Sequence, residues 1–183
     1  MAAISLVTPS RTYLPAYVAA LTTGWSPDNT RDVHEEHLIS IRRDPDAFLR
    51  DLTAMHGPIR HADGSVTPRL PNKMFWIWDG DYCGVVGLRW QPGTDALPPA
   101  VPGHIGYGVV PWKRRRGYAT EAVAMVLNEA RAAGLRRVFL AADAGNPSSR
   151  RVIEKNGGLA LGPGSPPATG KIEPGAIGYW IDL

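Results

Sequence analysis

Only one cysteine, Cys83, occurs in 183 residues, so no disulfide can form within the chain. Its place in an apolar run points to a reducing compartment. No apolar run approaches membrane-spanning length, and the opening residues 1–7 lack the basic lead and the long apolar stretch of a secretory signal. The expected location is the cytoplasm, with no membrane partner. Charge is also scarce. The formal net charge is a modest +3, and much of it sits in Lys113, Arg114, Arg115 and Arg116 and in Arg136, Arg137, Arg150 and Arg151. Duplex-binding proteins usually spread a basic stripe over one face, so a local anion site explains this balance better than nucleic acid does.

Metal-binding patterns are missing too. Of the five histidines, only His34 and His37 stand at helical spacing, and nothing nearby completes a ligand set, so a solvated helical face is expected there and no metal. The chain has no Gly-x-x-x-x-Gly-Lys-Ser/Thr string for a nucleotide P-loop and no Gly-x-Ser-x-Gly elbow for a serine hydrolase. It has no internal repeat, no heptad seam and no extended low-complexity tract.

What is present fits one domain spanning 1–183, with 44% apolar residues to close a core. Three helix starts show a polar cap followed by proline, where the missing N–H costs nothing: Thr8-Pro9, Asp44-Pro45 and Asn146-Pro147. The first helix would carry Leu14, Tyr17, Val18 and Leu21 on one face, the second Phe48, Leu49, Leu52 and Met55. A further helix announces itself through Ala119, Ala122, Val123, Val126 and Ala130, and ends at Gly134. Strands are expected at 3–7, 74–78, 82–90, 104–110, 138–142, 159–161 and 177–181. Asp79-Gly80-Asp81 makes a hairpin of the second and third. A full helix separates the strands at 104 and 138, which implies a parallel pair with a right-handed crossover. Segments 57–72, 91–103 and 162–175 read as loops rich in proline and glycine. The order of elements defines an α+β (mixed α/β) fold with a mixed sheet.

The junction from Val109 to Glu121 is the most informative stretch. An apolar strand runs through a basic turn that closes on Gly117 and passes directly into an amphipathic helix. Such a junction leaves backbone N–H groups unpaired at the positive end of a helix dipole, with four cationic side chains around them. Adjacent arginines at a helix start repel one another and the dipole unless an anion is bound. That arrangement cradles phosphate.

Arg114 to Ala119 reads Arg-x-x-Gly-x-Ala, and with its strand before and helix after it resembles the GNAT superfamily of acetyl-coenzyme A-dependent N-acetyltransferases. The resemblance is strongest over 103–158. It implies a central, mostly antiparallel sheet with a splayed parallel strand pair and about four flanking helices. It also implies acetyl-CoA as cosubstrate, held through Val109, Val110, Arg114, Arg115, Arg116, Gly117, Tyr118, Ala119 and Thr120, with Gly106 and Gly108 leaving the first splayed strand open to the pantetheine arm. Asn146-Pro147-Ser148-Ser149 resembles the family's Asn-x-x-Ser helix along that arm, which places Asn146 and Ser149 at the cofactor, although Asn146 is equally an N-cap.

Acetyl transfer to an amine needs alignment, a base for the amine and a proton for the departing sulfur. The family's tyrosine acid falls at Ile153 here, which cannot donate a proton. Near the family's usual glutamate stands His104, whose ordinary pKa suits a base. Asp143, at the end of the strand beginning at 138, is a second candidate, with a turn-forming role as its alternative. Tyr107 and Tyr179 are weaker options, and Cys83 is expected to be structural. The expected partner is a primary amine of a small molecule or peptide, and a homodimer is compatible with the chain. Two other readings are a noncatalytic acyl-CoA-binding or regulatory module and a nucleic-acid binder that uses the arginine run.

Overall fold

A computed structural model describes residues 3–60, 64, 66–162 and 169–183. In chain order the elements are β1 (Ser5–Val7), α1 (Leu14–Thr22), α2 (His34–Arg43), α3 (Pro45–Thr53), β2 (Pro58–Arg60), β3 (Val66–Pro68), β4 (Asn72–Trp78) and β5 (Tyr82–Arg89). There follow β6 (Ile105–Val109), a single 3-10 turn (Pro111–Lys113), α4 (Tyr118–Ala132), β7 (Arg137–Asp143), α5 (Pro147–Lys155), β8 (Leu159–Ala160) and β9 (Ala176–Asp182).

Two antiparallel sheets lie side by side, one in the order β1-β4-β5-β6 and the other in the order β7-β9-β8. Strands β4 and β5 form the expected hairpin, turning through Gly80 at φ 106°. A glycine adopts that left-handed conformation without the steric penalty of a Cβ. The sheet is covered on both faces. On one, Val86 and Leu88 pack with the small residues Ala122, Val123, Val126 and Ala130 of α4, which let the helix lie close. On the other, Trp76, Tyr82 and Val85 meet Tyr17, Leu21, Leu38 and Leu49 from the first three helices, with Tyr17 stacked 4.7 Å from Trp76.

Two helix starts follow the capping rule. The carboxylate of Asp44 accepts from the amides of Asp46 and Ala47, and the side chain of Asn146 accepts from the amide of Ser149. The first expected start is displaced: α1 begins at Leu14 rather than after Thr8-Pro9, and it is Pro15 that occupies its first turn. Leu14-Pro15 lacks the polar cap that Thr8-Pro9 offers and the Tyr13 side chain makes no capping bond, so the apolar face of Leu14, Tyr17 and Leu21 sets the start instead. Within the expected loop 57–72, β2 and β3 pair antiparallel, Pro58 opposite Pro68, while residues 61–63 and 65 lie outside the described residues. Part of the expected loop 162–175 lies outside the described residues.

Strands β6 and β7 do not form a ladder with each other. They are joined at one end, where the His104 amide donates to Phe139 O at 2.8 Å and the Phe139 amide donates to His104 Nδ1 at 2.8 Å. Past that stitch, no backbone bond links them among the described residues. The expected splay is this gap.

Candidate functional site

The turn after β6 builds a set of open amides. The chain leaves Val110, makes one 3-10 turn and passes through Arg115 at φ 61° and Gly117 at φ 85° before α4 begins. The first bond of α4 is Glu121 N–H to Gly117 O at 3.1 Å. The amides of Gly117, Tyr118, Ala119 and Thr120 therefore precede any intrahelical bond. Among the described residues, those of Arg115 and Arg116 donate to nothing either. A non-glycine residue held in the left-handed region stores strain, and such strain concentrates where a backbone must present itself to a ligand. Nothing lies within 4 Å of a Cβ built on Gly117, so the approach to these amides is open. The donor set fits a diphosphate.

Of the four cations around the turn, Lys113 is not available to an anion. Its Nζ lies 2.7 and 3.0 Å from the two carboxylate oxygens of Asp79, in the β4–β5 turn, and Tyr118 OH donates to the same carboxylate at 2.6 Å. Burial works to raise the Asp79 pKa, but the bonds from Lys113, Tyr118 and Cys83 outweigh it and hold the carboxyl well below its usual range. This buried knot ties the hairpin to both ends of the turn that leads into α4. Tyr118 turns its ring into the core and offers only its amide, while Arg114, Arg115 and Arg116 remain exposed.

Val110 does not face a ligand. Its N–H donates to Cys83 O, its carbonyl accepts from Lys113 and its side chain is fully buried, so it closes the turn instead. Val109 does contribute to the open edge of β6. Antiparallel strands alternate which residues bond to a neighbour. Arg89 N–H donates to His104 O and Val110 N–H to Cys83 O, so Tyr107 and Val109 point their carbonyls away from β5, into the splay. Two side chains reach these carbonyls: Asn29 Nδ2 donates to Tyr107 O at 2.9 Å and Arg114 Nε to Val109 O at 3.1 Å.

Across the gap, Ser149 of α5 meets Tyr107, hydroxyl to hydroxyl at 2.8 Å, with the Ser149 carbonyl 3.1 Å from the phenol. Burial, partly offset by the Ser149 bond, raises the Tyr107 pKa, so its proton is retained. Asn146 spends its oxygen as the cap of α5 and keeps its NH2 exposed. Ile153 is fully buried in the core. Asp143 is exposed and accepts from the amide of Gly145 at 2.6 Å, its turn-forming alternative. Cys83 is buried and its thiol is pushed up to about 12, by burial and then by Asp79, which leaves it without nucleophilic character at neutral pH.

A cavity of about 560 Å³ opens on the α1–α3 side of the sheet, beside the splay. Gly87 and Gly106, directly opposite each other on β5 and β6, leave part of its floor without side chains. Residues 27–31, between α1 and α2, and His37 form its other wall. His104 does not line it. That histidine is fully buried, its Nδ1 accepts the Phe139 amide, and burial lowers its pKa to about 4. The accepting nitrogen carries no proton, and the ring fastens β6 to β7 instead of reaching a substrate.

The cavity contains groups to which the sequence pattern gives no catalytic role. His37 is half-buried, with Nδ1 2.7 Å from Tyr17 OH, and burial lowers its pKa against an opposing effect of Glu36. It is therefore neutral at pH 7, and it lies inside rather than on a solvated face. Asp28 Oδ1 accepts from the amide and hydroxyl of Thr30 and, more weakly, from the Arg31 amide. Burial opposes ionisation there, but these bonds together bring the Asp28 pKa below the ordinary value. Arg89 completes the set from β5.

A sheet parted between two strands, with open helix-start amides at one end of the gap and a cavity beside it, is the frame on which comparison with known proteins places an acyltransferase fold. A family model described as an acetyltransferase (GNAT) domain matches residues 26–158, and the chain belongs to that family. Solved structures agree on the fold. The ribosomal L7/L12 alpha-N-protein acetyltransferase RimL, in complex with coenzyme A, superposes with a TM-score of 0.62 at 16% identity, covering 100% of this chain and 96% of that one. The microcin C7 self-immunity acetyltransferase MccE, with acetyl-CoA and AMP, gives 0.60 at 13%, covering 98% and 92%. Spermidine N-acetyltransferase from Vibrio cholerae, with CoA and spermine, gives 0.57 at 12%, covering 98% and 95%. No protein with a curated function matches the sequence.

Proposed function

We propose that this chain is an acetyl-CoA-dependent N-acetyltransferase that passes the acetyl group directly to a primary amine of a small molecule or peptide. The observation that carries the reading is the run of unengaged amides from Arg115 to Thr120 at the mouth of the β6–β7 gap, with a separate cavity on the other side of the same strand. Bound acetyl-CoA supplies the acetyl group as an activated thioester. The amides of 115–120, aided by Arg114, Arg115 and Arg116, would hold its diphosphate. Val109, Asn146 and Ser149 would border its arm.

Neither His104 nor Asp143 reaches the cavity, so the base is assigned to His37. Among the described cavity groups it alone combines a free-base form at neutral pH with a ring able to take a proton. Tyr107, held at the gap by Ser149, keeps a phenolic proton for the leaving sulfur. The high pKa of Cys83 supports transfer without an acyl-enzyme.

Calorimetry with acetyl-CoA, followed by a thiol-release assay over a panel of amines, tests the reading. Heat on titration and release of CoA with at least one amine are expected; absence of heat overturns the assignment. Heat without turnover on any amine would instead favour the noncatalytic acyl-CoA-binding module, which the burial of Ile153 at the family's tyrosine position makes worth carrying.

A further inference from the structure

Among the described residues, Arg89 is a cation without a counter-ion. Side chains alternate along β5, so Val85, Gly87 and Arg89 all face the cavity side of the sheet. The guanidinium lies over the bare floor, with Nη2 3.4 Å from where a Cβ on Gly106 would stand. Other partly sheltered arginines have partners: Arg69 pairs with Asp51, Arg137 lies over Trp180 near Asp95, and Arg150 bonds Tyr179 and neighbours Glu154. The guanidinium of Arg89, among the described residues, makes neither a hydrogen bond nor an ion pair. Burial lowers its pKa and Asp28 partly restores it, which places the carboxylate in its field but not in contact.

Five N–H donors in a half-buried fork are costly to leave unmet, and a carboxylate or phosphate meets two of them at once. The remaining charges of the cavity wall do not compete for that role. Arg31 is paired with Glu36, His37 is neutral, and Asp28 commits one oxygen to its own turn while the other, among the described residues, accepts nothing.

We infer that Arg89 receives an oxyanion carried by the acceptor, so that the amine acetylated here is itself an acid, bearing a carboxylate or a phosphate. Asp28 and Arg89 then mark two ends of one cavity, complementary to a zwitterion, with the ammonium drawn to the first and the anion gripped by the second. A polyamine would set a cation against Arg89 and gain nothing from it. This inference rests on the cavity being the acceptor site of the proposed transferase.

The test uses matched probes that differ only in the anion: glycine, leucine and phenylalanine against their amides, and O-phosphoethanolamine against ethanolamine. In the thiol-release assay the acid of at least one pair should exceed its neutral mate by about tenfold or more in kcat/KM, mainly through KM. The pair that responds separates carboxylate from phosphate. In Arg89→Met that ratio should collapse toward one, and Arg89→Lys should restore part of it.

A second readout needs no turnover. With CoA present, calorimetry of the N-acetylated acids and N-acetylated amides should show the same preference in the natural chain and its loss in Arg89→Met, whose heat with CoA alone is retained. If no pair prefers the acid, whether both members bind alike or neither binds, the inference is overturned. So is a ratio that survives Arg89→Met. Absence of heat with acetyl-CoA would instead count against the transferase reading itself.

Discussion

His37 and His104 show how far a side chain's surroundings outweigh its type. Both are imidazoles, and burial lowers the pKa of each, but one borders a cavity and the other is fastened in a seam. Replacing His37 with Gln should cut kcat/KM about a hundredfold or more while leaving CoA binding intact. Because its pKa sits below the ordinary 6.5, the natural enzyme should keep its free base, and its rate, somewhat below that pH and lose it on further acidification. The Gln variant should lack this acid limb in a pH–rate profile. A loss under threefold would return the base role to solvent.

His104 carries a different expectation, in stability. Its folded pKa of about 4 lies below the ordinary 6.5, so the unfolded chain takes up the proton first as pH falls. The neutral ring thus contributes fully above about pH 6.5, and its contribution is lost between there and about pH 4, roughly 3 kcal/mol in all. Urea unfolding at several pH values should show that slope. His104→Asn, which keeps an acceptor for the Phe139 amide but cannot titrate, should flatten it. An unchanged slope in the variant would assign the pH dependence to other groups.

Among the elements, the phosphate turn depends on a neighbour remote in sequence. Asp79 sits at a hairpin tip, yet it fixes Lys113 before the turn and Tyr118 after it. The Asp79 and Lys113 side chains are 7% and 14% exposed, so removing one strands the other. Asp79→Ala should cost about 3 kcal/mol, roughly 10 °C in melting temperature for a chain of this size, and should weaken CoA binding as the turn loosens. The expected drop in melting temperature with unaltered CoA affinity would show that the knot supports the fold alone.

The elements also show what was legible in the chain. Glycine at the entry to a helix, proline after a polar cap and alternation around a short turn are local rules. The β4–β5 hairpin and the starts of α3, α4 and α5 obey them. The start of α1 breaks the cap rule: Pro15, six residues beyond Pro9, follows an apolar residue and still occupies the first turn. The fate of His104 turns on Phe139, which lies 35 residues away. Lys113, read as part of the cradle, is claimed by Asp79 from another hairpin. The cavity is assembled from residues near 28, 37, 89 and 106, and no spacing joins those positions. Only the pattern of a charged residue closing an otherwise apolar strand, Arg89 after Leu88, could have drawn notice.

At the scale of the whole molecule, two antiparallel sheets are fastened at one corner and open at the other, with one helix layer backing each side of the first sheet. A ligand in the gap bridges both sheets and both layers, so saturation with CoA at about a hundred times its Kd should add roughly 2.7 kcal/mol to unfolding. Thermal melts with and without CoA measure this, and no shift would mean that the gap is not where it binds.

The position of Asn29 carries a kinetic consequence. Its amide rests on the Tyr107 carbonyl, the edge group that a pantetheine arm entering the gap would claim, and it belongs to the same segment that walls the proposed acceptor cavity. Entry of the donor would compete with Asn29 for that carbonyl and free the segment, so the expected order of arrival is the nucleotide first and the amine second. Equilibrium titrations of the acceptor should be silent on the bare protein and register only once CoA is in place, and Asn29→Ala should abolish that dependence. Acceptor binding of equal strength with and without CoA would rule the sequence out.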